Sequence, residues 1–207
     1  MHWLQFREPV SAWTHALWSF LAVPACLLLW HQARGRRLKQ FGFLVFGLSL
    51  ILCYGASAAY HAVLLPEDQI EWFCRLDHVG IYLLIAGTIT PAALILLPGW
   101  WRWGILGLTW SQGVIGIGLC LAAVPLPPLV ATSMYLIMGW GFLVGYFAAA
   151  RVLTPQALRL AWIGGLIYTV GAAIHLSEWP ALYPGVFAAH EVFHLFVMAG
   201  SAVHFWF

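Results

Sequence analysis

Residues 76–97 read LDHVGIYLLIAGTITPAALILL. Beyond Asp77 and His78 the stretch carries no charge, and it matches the ~20 residues a helix needs to cross a hydrocarbon core. Pro91 inside it is expected to kink the helix, with the hydroxyls of Thr88 and Thr90 taking up the carbonyl that proline frees. Read outward in both directions, the chain repeats the pattern. Apolar runs lie at 10–30, 41–65, 76–97, 103–124, 129–150, 160–179 and 187–207, and the breaks between them fall at 34–40, 66–75, 98–102, 125–128, 151–159 and 180–185, where Pro, Gly and charge gather. The expected fold class is therefore an all-α membrane protein, a seven-transmembrane-helix bundle forming one domain over residues 1–207.

Composition agrees with this reading. The 207 residues are 63% hydrophobic and 8% charged, too few charges to cover a water-soluble surface. The 16% aromatic content suits interfacial belts. Clustered Lys and Arg of the kind that binds nucleic acid are missing, so nucleic acid is excluded as a partner and membrane lipids are expected instead. Cys26, Cys53, Cys74 and Cys120 show no CxxC spacing, which predicts neither a disulfide framework nor a cysteine metal site. The run at 10–30 is expected to stay as a first helix. Its basic cluster, Arg34, Arg36, Arg37 and Lys39, follows the run instead of preceding it as in a secretory signal. Glycines within the later spans, such as Gly116, Gly118, Gly139, Gly164 and Gly171, are expected to let helices approach closely.

With seven spans the loops alternate between an N-terminal and a C-terminal face. Of nine Lys and Arg, Arg7 and Arg75 fall on the first, and Arg34, Arg36, Arg37, Lys39, Arg102, Arg151 and Arg159 on the second. The charge bias predicts a cytoplasmic C-terminus and an outer N-terminus. Acidic residues show the opposite bias: Glu8, Glu67, Asp68, Glu71, Asp77, Glu178 and Glu191 all lie on or just inside the N-terminal face. His15, His61, His78, His175, His190 and His194 sit within spans at that same end. Ionisable groups are costly in a membrane, so such a gathering points to function.

The sharpest local feature is His190-Glu191-Val192-Phe193-His194. Residues four apart share a helix face, so the pair offers two imidazoles to one point. His61, one turn from the end of the second span, lies at the same depth and supplies a third. Three neutral imidazoles with an open position describe a catalytic zinc site, in which the metal turns a bound water into hydroxide. Asp77 at the same level is expected to hold or deprotonate that water, and Ser57, one helical turn deeper than His61, to hydrogen-bond the water or a developing oxyanion. His15, His78 and His175 are read as outer partners of the ligands or as helix-packing groups. His204, ten residues beyond His194 and so about 15 Å along a helix, is out of reach of the same metal. HEVFH also matches the H-E-x-x-H of zinc proteases, which leaves Glu191 as an auxiliary base. Gly200, however, occupies the position of the metzincin third histidine.

Ser57-Ala-Ala-Tyr-His61, Asp77-His78 leading into Gly87-Thr-Ile-Thr-Pro91, Gly164-Gly165-Leu-Ile-Tyr168, His190-Glu-Val-Phe-His194 and Gly200-Ser-Ala-Val-His204 together resemble the hemolysin III family. That family is the bacterial branch of the progestin and adipoQ receptor family, within a wider set of membrane hydrolases that includes alkaline ceramidases. The resemblance covers nearly the whole chain. It implies a seven-helix fold around a zinc ion held by His61, His190 and His194, with Asp77 near the metal-bound water and Ser57 beside it. It also implies a bacterial inner-membrane location, with the N-terminus and zinc site toward the cytoplasm, the reverse of the charge bias. Ser11 stands where the family tends to have Asn. The functional expectation is a zinc-dependent hydrolase of a lipid amide such as a ceramide. A membrane receptor or regulator stapled by zinc, and a pore-forming cytolysin, are the alternatives. No polar stripe of the kind that would line a water-filled pore is visible in the spans.

Overall fold

The computed structural model describes residues 6–183 and 185–207. The described chain is helical: α1 Pro9–Gln32, α2 Arg37–Ala62, α3 Glu67–Leu96, α4 Gly99–Leu121, α5 Pro128–Trp140, a 3₁₀ segment Gly141–Gly145, α6 Tyr146–Ala150, α7 Pro155–Ser177 and α8 Ala189–Trp206. Prolines mark the starts, because a missing N–H costs nothing in a first turn. Pro9, Pro128 and Pro155 each open a helix, and Thr154 caps α7 by accepting a hydrogen bond from the Ala157 amide (3.2 Å). Six segments are long and apolar enough to span a membrane, with 128–150 counted as one. In α8, the last predicted span, His190, Glu191, His194 and His204 lower the mean hydropathy. Large apolar side chains such as Phe20, Trp100, Phe147 and Trp206 cover the outer surface, as befits a multi-pass integral membrane protein whose solvent is lipid.

Several boundaries depart from the expected ones. The break expected at 66–75 is the helical start of α3, because nothing after Pro66 breaks a helix, and Glu67 and Asp68 in its first turn suit the positive end of the dipole. Likewise α2 begins at Arg37, inside the expected loop. Hydropathy marks only the lipid-immersed part of a helix. The run at 129–150 is interrupted by the 3₁₀ segment, whose Gly141 and Gly145, with nearby Gly139, weaken the α-helical ladder. The break expected at 180–185 includes Pro184, which lies outside the described residues. α3 continues through Pro91, and Thr88 and Thr90 donate to the carbonyls of Leu84 (2.7 Å) and Ala86 (2.6 Å). Neither hydroxyl serves the carbonyl of Gly87, contrary to expectation.

α2 lies along both α1 and α3, α3 carries α4, and α7 pairs with α8. Close backbone approaches join α2 and α3. A Cβ added at Gly80 would come within 2.8 Å of the Cys53 Cα, and one at Gly42 within 2.9 Å of the Pro91 Cα. The glycines singled out from the sequence act differently. Gly116 receives the Tyr82 ring and Gly171 receives Phe196, whereas Gly118 and Gly139 face open space. The four cysteines are free thiols, with Cys26 and Cys53 buried in helix packing. A core cluster of Leu29, Phe46, Leu50, Tyr54, Leu84 and Met198 ties α1, α2, α3 and α8 together. Between α3, α5, α7 and α8 this arrangement leaves a cavity of about 430 Å³ with a mostly apolar wall. It runs from His190 and His194 near the N-terminal face to Leu158 and Phe207 at the opposite end.

Candidate metal centre

Two helix ends meet at the top of this cavity. α2 brings His61 in its last turn, and α8 brings His190 and His194 in its first two turns. One ring nitrogen from each of the three lies within 4.8 Å of the others, and the Nε2 atoms of His61 and His190 are 3.3 Å apart. The ring centroids of His194 stand 4.4 Å from His190 and 4.9 Å from His61. His61 is fully buried and His194 is 3% exposed. The sequence expectation that His61 joins the HEVFH pair is thus met in position. The donor set also fits a cation. His194 Nδ1 is buried without a hydrogen-bond partner, and a buried polar atom calls for one. Three converging imidazoles are the ligand type that suits zinc, copper, iron and nickel.

The chain just before α1 holds the site from outside. His61 Nδ1 donates to Glu8 Oε2 at 2.6 Å, and the Glu8 amide donates to the His61 carbonyl at 3.0 Å. The first bond fixes the proton on Nδ1 and leaves the Nε2 lone pair facing the other two histidines. The hydrogen bond from His61 holds the Glu8 carboxyl below its ordinary value against the opposing effect of partial burial. Arg7 approaches the other oxygen (Nε to Oε1, 3.2 Å) and lies over the Tyr60 ring at 4.1 Å. The sequence reading did not assign Glu8 to the site. The available signal was its place beside Pro9, at the start of a span and on the face shared with His61. Glu8→Gln is expected to weaken metal binding by about 10–100-fold, the usual effect of losing a carboxylate behind a histidine ligand. Competition with a chromogenic chelator measures this, and unchanged affinity would show that Glu8 does not orient His61.

His15 and His175 pack against the three. His15, 4% exposed, stacks on His194 with centroids 3.8 Å apart and planes at 12°. Both of its ring nitrogens lack partners. His175 lies 5.5 Å from His190 and stacks on Phe193. His78 is turned back on its own helix, where its Nδ1 donates to the Cys74 carbonyl at 2.7 Å. Asp77, Ser57 and His78 lie on the cavity wall with His190 and His194. Asp77 sits three turns into α3, since that helix begins earlier than expected.

Glu191 does not point at the cluster. Its Oε1 accepts from the Ser11 hydroxyl (2.9 Å) and its Oε2 from the Ala188 amide (2.8 Å). Both oxygens are engaged, so Glu191 caps α8 and ties it to α1, and a general base of the zinc-protease kind would need a carboxylate facing the metal. Ser11, which stands out in the first-span motif, is the α1 half of that tie.

Comparison with known proteins shows the family. The family model described as Haemolysin-III related matches residues 3–205. The chain is similar to Hemolysin-3 of Bacillus cereus, 35% identical over 201 residues, covering 96% of this chain and 89% of that protein. A Hemolysin-3 homolog of Bacillus subtilis (strain 168) is 30% identical over 203 residues, covering 96% and 91%. The adiponectin receptor protein of Drosophila melanogaster is 24% identical over 229 residues, covering 96% of this chain and 49% of the receptor.

Proposed function

This chain belongs to the haemolysin-III-related family, and from the site it carries we propose that it is a zinc-dependent hydrolase of a membrane-lipid amide of the ceramide type. One observation carries the reading: His61, His190 and His194 converge at one end of an apolar cavity whose wall there also holds Asp77 and Ser57. Zinc held by the three imidazoles would polarise an amide carbonyl and make water acidic enough to attack near neutral pH. Glu8 keeps the His61 lone pair in place. The Asp77 carboxylate would take a proton from the attacking water and pass it to the departing amine. Ser57 Oγ donates to the carbonyl oxygen as negative charge gathers there. The apolar wall excludes bulk water and accommodates the hydrocarbon part of the substrate. Release of free fatty acid from a ceramide by detergent-purified protein, abolished by chelation and restored by zinc, tests this. Failure of the zinc-loaded protein to cleave any of a panel of lipid amides would refute it.

A second reading is a receptor or regulator in which the metal is a staple. It draws on the tie that the three histidines make between α2 and α8, which reinforces the hydrogen bond of the Tyr54 hydroxyl to that of Ser201 deeper along the same two helices. The adiponectin receptor relative suits it equally. A pore-forming role, suggested by the name Hemolysin-3, is less well supported, since the cavity wall is mostly apolar and a pore needs a water-lining path.

We place the chain in the bacterial inner membrane as seven spans, with α8 as the seventh and the C-terminal face in the cytoplasm. The seven basic residues of that face, Arg34 through Arg159, support this. A fluorescent protein that matures only in the cytoplasm is expected to light up when fused after Phe207, and a dark, fully expressed fusion would reverse the orientation.

A further inference from the structure

Two motifs of the sequence, Gly164-Gly165-Leu-Ile-Tyr168 and Gly200-Ser-Ala-Val-His204, take no part in the metal centre, yet they meet in the cavity. Tyr168 of α7 lies over Gly200 of α8: a Cβ there would come within 2.8 Å of the Tyr168 Cζ. Reciprocally, His204 of α8 lies against Gly164 of α7, where a Cβ would clash with its Nε2. The two rings stack in parallel, with centroids 5.8 Å apart and planes at 14°. Each glycine makes room for the ring of the opposite helix, and both rings line the cavity.

The polar atoms of this pair are unspent. The Tyr168 hydroxyl is buried with no hydrogen-bond partner, and His204 has none among the described residues. The polar group beside Tyr168, the Ser201 hydroxyl, is already engaged. Ser201 donates to the Met198 carbonyl (2.9 Å) and accepts from Trp18 Nε1 (3.1 Å), and its hydroxyl also pairs with that of Tyr54 (2.7 Å). A network that closes on itself and leaves one buried hydroxyl outside calls for a partner from the cavity. Gly200 lies six residues beyond His194 and His204 ten, so the pair sits about 9–15 Å down the cavity from the metal centre.

We propose that Tyr168 and His204 form a hydrogen-bonding station that takes a hydroxyl group carried partway along the hydrocarbon chain of the bound lipid. A hydroxyl both donates and accepts, as do a phenol and a neutral imidazole, so it satisfies either partner without bringing charge into an apolar cavity. The station therefore sets chain specificity, preferring a mid-chain hydroxylated acyl group to a plain one. This rests on the reading of the cavity as the seat of the lipid chain.

The test uses detergent-purified full-length protein, a fluorescent fatty acid bound to it, and displacement by stearic acid or by its isomers hydroxylated near mid-chain or next to the carboxyl. Wild type is expected to favour the mid-chain hydroxy acid over stearic acid by at least about 5-fold more than Tyr168→Phe does, the size of one buried neutral hydrogen bond. Tyr168→Phe keeps the ring, and wild-type affinity for stearic acid in that variant shows an intact cavity. Within wild type alone, the mid-chain isomer should also outcompete the isomer hydroxylated beside the carboxyl. Equal displacement by the isomers, or the same preference in both proteins, overturns the station while the lipid-chain reading stands. Failure of every acid to displace the probe overturns both.

Discussion

Replacing His190 and His194 together by alanine is expected to take the purified protein from about one zinc ion per chain to background in elemental analysis, because two of three protein ligands are lost. His61 alone, even with Glu8 behind it, offers one nitrogen. The two imidazoles stand 4.4 Å apart on successive turns of α8, and both face the His61 ring. No other residue among the described ones forms such a group with them. His204→Ala on the same helix serves as the control: about 15 Å farther along, it removes a half-buried imidazole without touching the centre and is expected to keep its zinc. Stoichiometric zinc in the double variant would overturn the ligand assignment. Zinc lost equally from His204→Ala would show that the loss reports unfolding of α8 instead of coordination.

Asp77→Asn separates the hydrolase from the stapled receptor. Asparagine has nearly the same shape but cannot take a proton at the reacting centre. Turnover of a lipid amide is expected to fall by about 10²–10⁴-fold, the usual contribution of a positioned general base. Zinc content and melting temperature should stay at wild-type values, since Asp77 belongs to α3 and the metal group to α2 and α8. Activity that survives the substitution would remove Asp77 from the reaction. Loss of zinc along with activity would make Asp77 part of the metal's support, and the staple reading would gain.

Hydropathy made the membrane-embedded, helical character of this chain legible before any coordinates, because burial in lipid requires about 20 consecutive apolar residues and needs no knowledge of neighbours. The four-residue spacing of His190 and His194 was legible for a similar reason: helical periodicity puts them on one face. Boundaries were less so. The start of α3 at Glu67 and the 3₁₀ break after Trp140 depend on capping and on glycine propensity, which act outside or against the apolar pattern.

Local sequence thus determined the class of fold, the face on which the ionisable groups gather, and the shared helix face of His190 and His194, with His61 expected beside them from its depth. Tertiary structure alone decided that His61 meets His190 across 129 residues of chain, that Glu8 grips the far side of the His61 ring, that Glu191 turns away to Ser11, and that Tyr168 and His204 interlock through two glycines. The physical reason is one of range. Hydropathy and periodicity report the surroundings of a residue along its own helix, whereas the rotation of each helix about its axis is set by packing against partners distant in sequence.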